Sequence, residues 1–193
     1  YTRFGTGFRD LNNDGILDVY MANGRVLIAQ TSETDDYYAE DNVLIQGVGD
    51  GKFKEVTPKG GVSKPLIHTS RGAAYGDVNN DGGIDIVVVN RDGLAYLLVN
   101  QNVGKGNFAI LKVLDRNGAP AQDATMQFNL GGKRIRREVR TSGGYVSAHD
   151  ATLHIGMGKE QAVSDVEITW SDGSKRAIPD ISVGEILTIR QSK

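Results

Sequence analysis

GTGFRDLNNDGILDVYMAN (residues 5–23) and GAAYGDVNNDGGIDIVVVN (residues 72–90) are two copies of one unit, 67 positions apart. Identity holds at Gly5/Gly72, Asp10/Asp77, Asn12/Asn79, Asn13/Asn80, Asp14/Asp81, Gly15/Gly82, Asp18/Asp85 and Asn23/Asn90. Apolar character holds at Phe8/Tyr75, Leu11/Val78, Leu17/Ile84 and Val19/Ile86. Internal similarity of this length marks a repeat architecture. The shared heart is D-x-N-x-D-G-x-x-D, and its spacing has a chemical reason. Calcium takes roughly six to eight oxygen ligands, and oxygens at loop positions 1, 3 and 5 followed by a glycine let a short chain wrap the ion. In the first loop Asp10, Asn12 and Asp14 supply side chains, Ile16 its carbonyl, and Asp18 closes the set. Asp77, Asn79, Asp81, the Gly83 carbonyl and Asp85 take the same roles in the second. The expectation is two Ca²⁺ ions, because three carboxylates crowded into each loop repel one another without a cation. Position 12, where an EF-hand carries a bidentate Glu, holds Met21 and Val88, so these are not EF-hands.

Around the loops the chain reads as strands. Runs of four to six Val, Ile, Leu and Tyr residues alternate with turn pairs such as Asp50-Gly51, Asn117-Gly118, Gly131-Gly132 and Asp172-Gly173, the pattern of an all-β protein. In residues 166–171 Val166, Ile168 and Trp170 alternate with polar neighbours, which places Trp170 in a core. No segment keeps a helical stripe for three turns; a short helical turn is expected only near Gly158 to Ala162. Gly contributes 25 of 193 residues, nearly double its ~7% average share. Without a G-X-Y period, and with 39% hydrophobic residues, that excess reads as turn chemistry in a folded chain.

Cysteine is absent, which excludes disulfides, thiolate catalysis and Cys-ligated metals. A net charge of −2 argues against a nucleic-acid partner, and the longest aliphatic runs fall far short of the ~20 residues that insert into a bilayer. A chain opening at Tyr1 rather than Met reads as a processed or excised piece.

The motifs resemble a known repeat family. Phe4-Gly5, Gly72 with Tyr75, and the two acidic loops are similar to FG-GAP/VCBS repeats, the blades of calcium-binding β-propellers such as the integrin α-subunit head. Residues 42–57, NVLIQGVGDGKFKEVT, resemble that family's strand pair, with Gly47 in place of a usual Asn. Beyond Asn100 the chain resembles the ASPIC/UnbV domain at Asn117-Gly-Ala119, Arg137-Glu-Val139, Gly143-Gly-Tyr145-Val-Ser147, LHIGMG (153–158) and VEITWSDG (166–173). The resemblance implies an all-β fold: two FG-GAP-type blades, a partial propeller, over residues 1–103, then a β-sandwich-like ASPIC/UnbV domain over 104–193. Two blades cannot close a propeller, so association with missing blades, with the C-terminal domain or with another chain is expected.

Candidate chemistry beyond calcium is thin. No G-x-S-x-G, H-E-x-x-H or P-loop pattern occurs. His149 and His154, five apart, fall on opposite strand faces and do not share a metal, and His68 stands alone. Arg134, Arg136 and Arg140 read as one face of a charged edge strand, with an anionic-polysaccharide site the alternative. The acidic stretch from Glu33 to Asp41 reads as an exposed loop, with Tyr37 and Tyr38 its candidate contact residues. The functional expectation is a calcium-binding, non-catalytic recognition or adhesion module, extracellular, periplasmic or at the cell surface, with a protein or glycan ligand. The competing readings are part of a polysaccharide lyase or hydrolase, or a structural spacer.

Overall fold

A computed structural model of the chain describes residues 1–27, 35–101 and 106–192. The strands of the first half are β1 (Arg3–Arg9), β2 (Asp18–Asn23), β3 (Glu40–Asp41), β4 (Val43–Gly49), β5 (Lys52–Glu55), β6 (Ile67–His68), β7 (Ser70–Gly76), β8 (Asp85–Asn90) and β9 (Tyr96–Leu98). Those of the second are β10 (Asn107–Leu114), β11 (Thr125–Leu130), β12 (Lys133–Glu138), β13 (Leu153–Gly158), β14 (Ala162–Thr169), β15 (Lys175–Ile178), β16 (Ile181–Ser182) and β17 (Ile186–Arg190). The chain is all-β, a partial propeller followed by a sandwich.

The first blade is the antiparallel sheet β1-β2-β4-β5, and the second is β7-β8-β9. Each acidic loop joins the first two strands of its blade, between β1 and β2 and between β7 and β8. The β4–β5 turn at Asp50-Gly51 takes positive φ at both residues, the geometry a two-residue hairpin requires. The blades stack through Tyr20 and Ala22 of one and Ala73, Tyr75, Ile86 and Val88 of the other, with Leu11 and Ile84 below them. Close approach depends on glycine: a Cβ at Gly7 would overlap the Tyr75 ring, and one at Gly5 the Ala73 main chain. The opposite face of the second blade stays open, with Val89 50% and Leu97 53% exposed.

The C-terminal half packs the sheet β13-β10-β17 against β12-β11-β14-β15, with β16 paired to β14. β11 shows why these residues make a sandwich: Met126, Phe128 and Leu130 are buried while Thr125, Gln127 and Asn129 stand between them. Leu111, Val113, Ile155, Met157, Val166 and Ile168 fill the same core. Trp170 is buried with them, as its alternation predicts, and its Nε1–H donates to the Leu114 carbonyl at 3.1 Å. The helical turn expected near Gly158 to Ala162 is not there. Gly158 takes φ +58°, Glu160 N–H donates to Met157 O, and the chain returns into β14 at once. The helical turn that does form is a 3₁₀ turn at Lys59–Gly61. The boundary expected at residues 103/104 lies outside the described residues, as does the start of the Glu33–Asp41 loop. Among the described residues no helix is long and apolar enough to cross a membrane.

Candidate functional site

The two acidic loops fold alike, bond for bond. Asp14 N–H donates to Asp10 Oδ1 (3.1 Å) and Gly15 N–H to Asp10 Oδ2 (2.8 Å); Asp81 and Gly82 do the same to Asp77 at 3.1 and 2.9 Å. Asn12 Oδ1 accepts from Asp14 N–H, and Asp14 Oδ1 from Ile16 N–H. Asn79 and Asp81 repeat this pair with Asp81 and Gly83 N–H. Asn13 and Asn80 take φ of 61° and 59°, and Gly15 and Gly82 87° and 83°. Asp18 and Asp85 tie each loop to its blade. Asp18 accepts from Leu11 and Gly47 N–H, both at 2.9 Å; Asp85 accepts from Val78 N–H at 2.9 Å and Asn100 N–H at 2.8 Å.

The side-chain oxygens of Asp10, Asn12, Asp14, Asp18 and of Asp77, Asn79, Asp81, Asp85 thus line two short loops, with the Ile16 and Gly83 carbonyls beside them in sequence. Among the described residues they accept from main-chain N–H groups of loop and blade and, at Asp14 and Asp81, from the Asn12 and Asn79 side-chain amides, and no three acidic or histidine side chains are gathered with metal-holding geometry. None of the six aspartates has a Lys or Arg within ion-pair distance among the described residues. Burial pushes the Asp10 carboxyl up to about 7, against the pull of Gly15 N–H and with the Asp14 and Asp18 charges adding to the rise. Burial likewise raises Asp18. These oxygen-rich loops, without an ion-pair partner at contact distance among the described residues, have the donor chemistry of a hard cation site.

The loops are also a joint. A Cβ at Gly156 of β13 would overlap the Asp10 carboxylate, and Gly158 N–H donates to Asn13 O at 2.7 Å. In the second loop the Gly82 carbonyl accepts from His154 Nε2–H at 2.8 Å and from Asn13 Nδ2–H at 3.0 Å. Phe108 of β10 lies over Gly82 and stacks on the His154 ring at 5.9 Å. The LHIGMG stretch is therefore the seat on which both loops rest. The loop sequences do not reveal this, because the His154–Gly82 contact joins positions 72 residues apart and the contacts of Gly156 and Gly158 with the first loop join positions further apart still.

The remaining candidates fall as follows. His149 packs edge-on against Tyr75 at 5.1 Å, away from His154 on β13, and His68 accepts or donates a 2.9 Å hydrogen bond with the Tyr96 hydroxyl. β12 is an edge strand, and the exposed arginines on it and just after it are paired: Arg134 with Asp165, and Arg136 and Arg140 with Glu138. Arg137, on the other face of the strand from Arg134 and Arg136, has no ion pair among the described residues. Tyr37 is exposed, and the Arg91 guanidinium sits 4.5 Å from the ring of Tyr38.

A family model described as an FG-GAP-like repeat matches residues 10–88, and one described as ASPIC and UnbV matches residues 115–193. The chain is an FG-GAP-like repeat region followed by an ASPIC/UnbV domain. Cartilage acidic protein 1 of Homo sapiens is 26% identical over 188 residues, which is 93% of this chain and 26% of that protein. The chain therefore spans about a quarter of the length of the curated relative it matches.

Proposed function

We propose that this chain is a calcium-binding, non-catalytic recognition or adhesion module of a secreted or cell-surface protein, with one structural Ca²⁺ in each blade loop. The observation that carries the reading is the duplicated loop geometry around six aspartates that have no cationic side chain at ion-pair distance among the described residues. Asp10, Asn12, Asp14, Asp18 and the Ile16 carbonyl would hold one ion; Asp77, Asn79, Asp81, Asp85 and the Gly83 carbonyl the other. The likeness to a human protein named for cartilage supports a place outside the cell. Calcium at a hundred times its dissociation constant would stabilise the fold by about 2.7 kcal/mol per site. Calorimetric titration of chelator-treated protein is expected to show two ions per chain and a higher melting temperature. No uptake and an unchanged melting temperature would sink the reading.

A further inference from the structure

Between the blades and the sandwich lies a cleft of ≈ 860 Å³, within the ~300–1,000 Å³ range of small-ligand sites. Arg9 reaches it from β1 and Arg137 from β12, one from each half of the molecule. Arg9 donates to its neighbour's Phe8 carbonyl at 2.7 Å and lies 5.2 Å from the Tyr75 ring. Among the described residues Arg137 donates to the Arg136 carbonyl, at 3.3 Å. Neither has a carboxylate at ion-pair distance among the described residues, in contrast to Arg134, which pairs with Asp165 outside the cleft, and to Arg136 and Arg140, which also line the cleft and pair with Glu138.

We infer that this cleft binds an acidic saccharide, its carboxylate or sulfate held by Arg9 and Arg137 and its hydroxyls by the polar lining. The assignment deepens the recognition reading above and rests on it. A guanidinium presents a planar fork of N–H donors that matches an oxyanion two bonds at a time. The rest of the lining sets the class. Asp10, Asp77, Glu138 and Asp150 oppose a densely charged polyanion, Asp150 can accept from sugar hydroxyls, Asn80 and Thr152 add amide and hydroxyl groups, and the half-exposed Phe8 ring offers an apolar face. That mixture suits one or two oxyanions on a hydroxyl-rich body.

The test is calorimetric titration of the whole chain in calcium with a uronate disaccharide, a sulfated disaccharide, the methyl ester of the uronate disaccharide, and inorganic sulfate. Binding of at least one acidic disaccharide is expected, with the neutral ester and inorganic sulfate each about tenfold weaker or worse. Arg9→Gln and Arg137→Gln should each weaken binding about tenfold, and Arg134→Gln should leave it unchanged. If Arg137→Gln melts early, Arg137→Lys keeps the charge, loses the fork, and should still weaken binding. Equal affinity for ester and acid, sulfate binding as tightly as the disaccharide, an acidic peptide bound in the sugar's stead, or folded arginine variants that bind like the parent would each overturn the inference. A glycan and protein screen separates the two levels. A ligand kept by the R9Q/R137Q double variant overturns the cleft and spares the recognition reading, whereas silence of the parent chain overturns both.

Discussion

At Gly156 a methyl group would occupy the space of the Asp10 carboxylate, and it would also crowd the Asn13 Cα, main chain of the first loop that cannot swing away. Overpacking of this kind costs about 1–3 kcal/mol, so Gly156→Ala is expected to lower the melting temperature by roughly 2–4 °C for each kcal/mol. A melting curve unchanged by this substitution would contradict the packing of loop against β13. Two buried histidines add a pH dependence. Burial, with Arg9 nearby, lowers His149, and burial lowers His154 against the opposing pull of the Gly82 carbonyl. Both rings favour the neutral form in the fold, so their contribution is whole above the ordinary value of about 6.5 and is lost as the pH falls through the lowered values. The raised Asp10 and Asp18 carboxyls act in the opposite sense over the same range, so the histidine contribution is read as a difference: between pH 7.5 and 5 the parent should lose more melting temperature, or gain less, than His149→Gln.

At the scale of elements, the two loops are equal by sequence and unequal by neighbour. Gly15 and Gly82 occupy the same repeat position with the same positive φ, but a Cβ at Gly15 meets only ordinary contacts while one at Gly82 falls inside the Phe108 ring. Gly82→Ala should therefore destabilise clearly more than Gly15→Ala, measured by denaturant titration; equal costs would contradict the docking of β10 on the second loop. Asp18 and Asp14 differ in a similar way. Asp18 is buried and satisfies main-chain donors on both the loop and β4, whereas Asp14 is exposed and bonds within its own turn. An unpaired buried donor costs about 1–3 kcal/mol, so without calcium Asp18→Ala should cost several times what Asp14→Ala does. With calcium the gap should narrow, because both variants lose a proposed ligand.

Over the whole molecule, the acidic loops stand at the junction of the blade pair and the sandwich, so ion binding and interdomain packing share atoms. Calcium is expected to slow amide exchange at Gly158, whose N–H reaches the first loop, and across the Phe108–His154 seat, as well as in the loops themselves. Exchange that changes in the loops alone would mean that the joint is indifferent to the ion. The open face of the second blade, with Val89 and Leu97 half exposed, is the other feature that belongs to this scale. It is the repeat counterpart of the Tyr20 and Ala22 face that the first blade buries against the second.

The sequence by itself determined the all-β class, the repeat and its offset, the loop residues and the burial of Trp170. Each of these is written in local periodicity or in spacing along a few residues. The same local reading placed a helical turn near Gly158, where the positive φ of that glycine and the tight bond from Glu160 to Met157 turn the chain straight into a strand. Only the tertiary structure decided that Gly156 and His154 carry the loops, and that Arg137 meets Arg9 at a cleft while Arg134 pairs with Asp165 outside it. The reason is alternation. Successive residues of β12 point to opposite faces, so a run of arginines divides between solvent and cleft, and which face is which depends on what packs against the sheet.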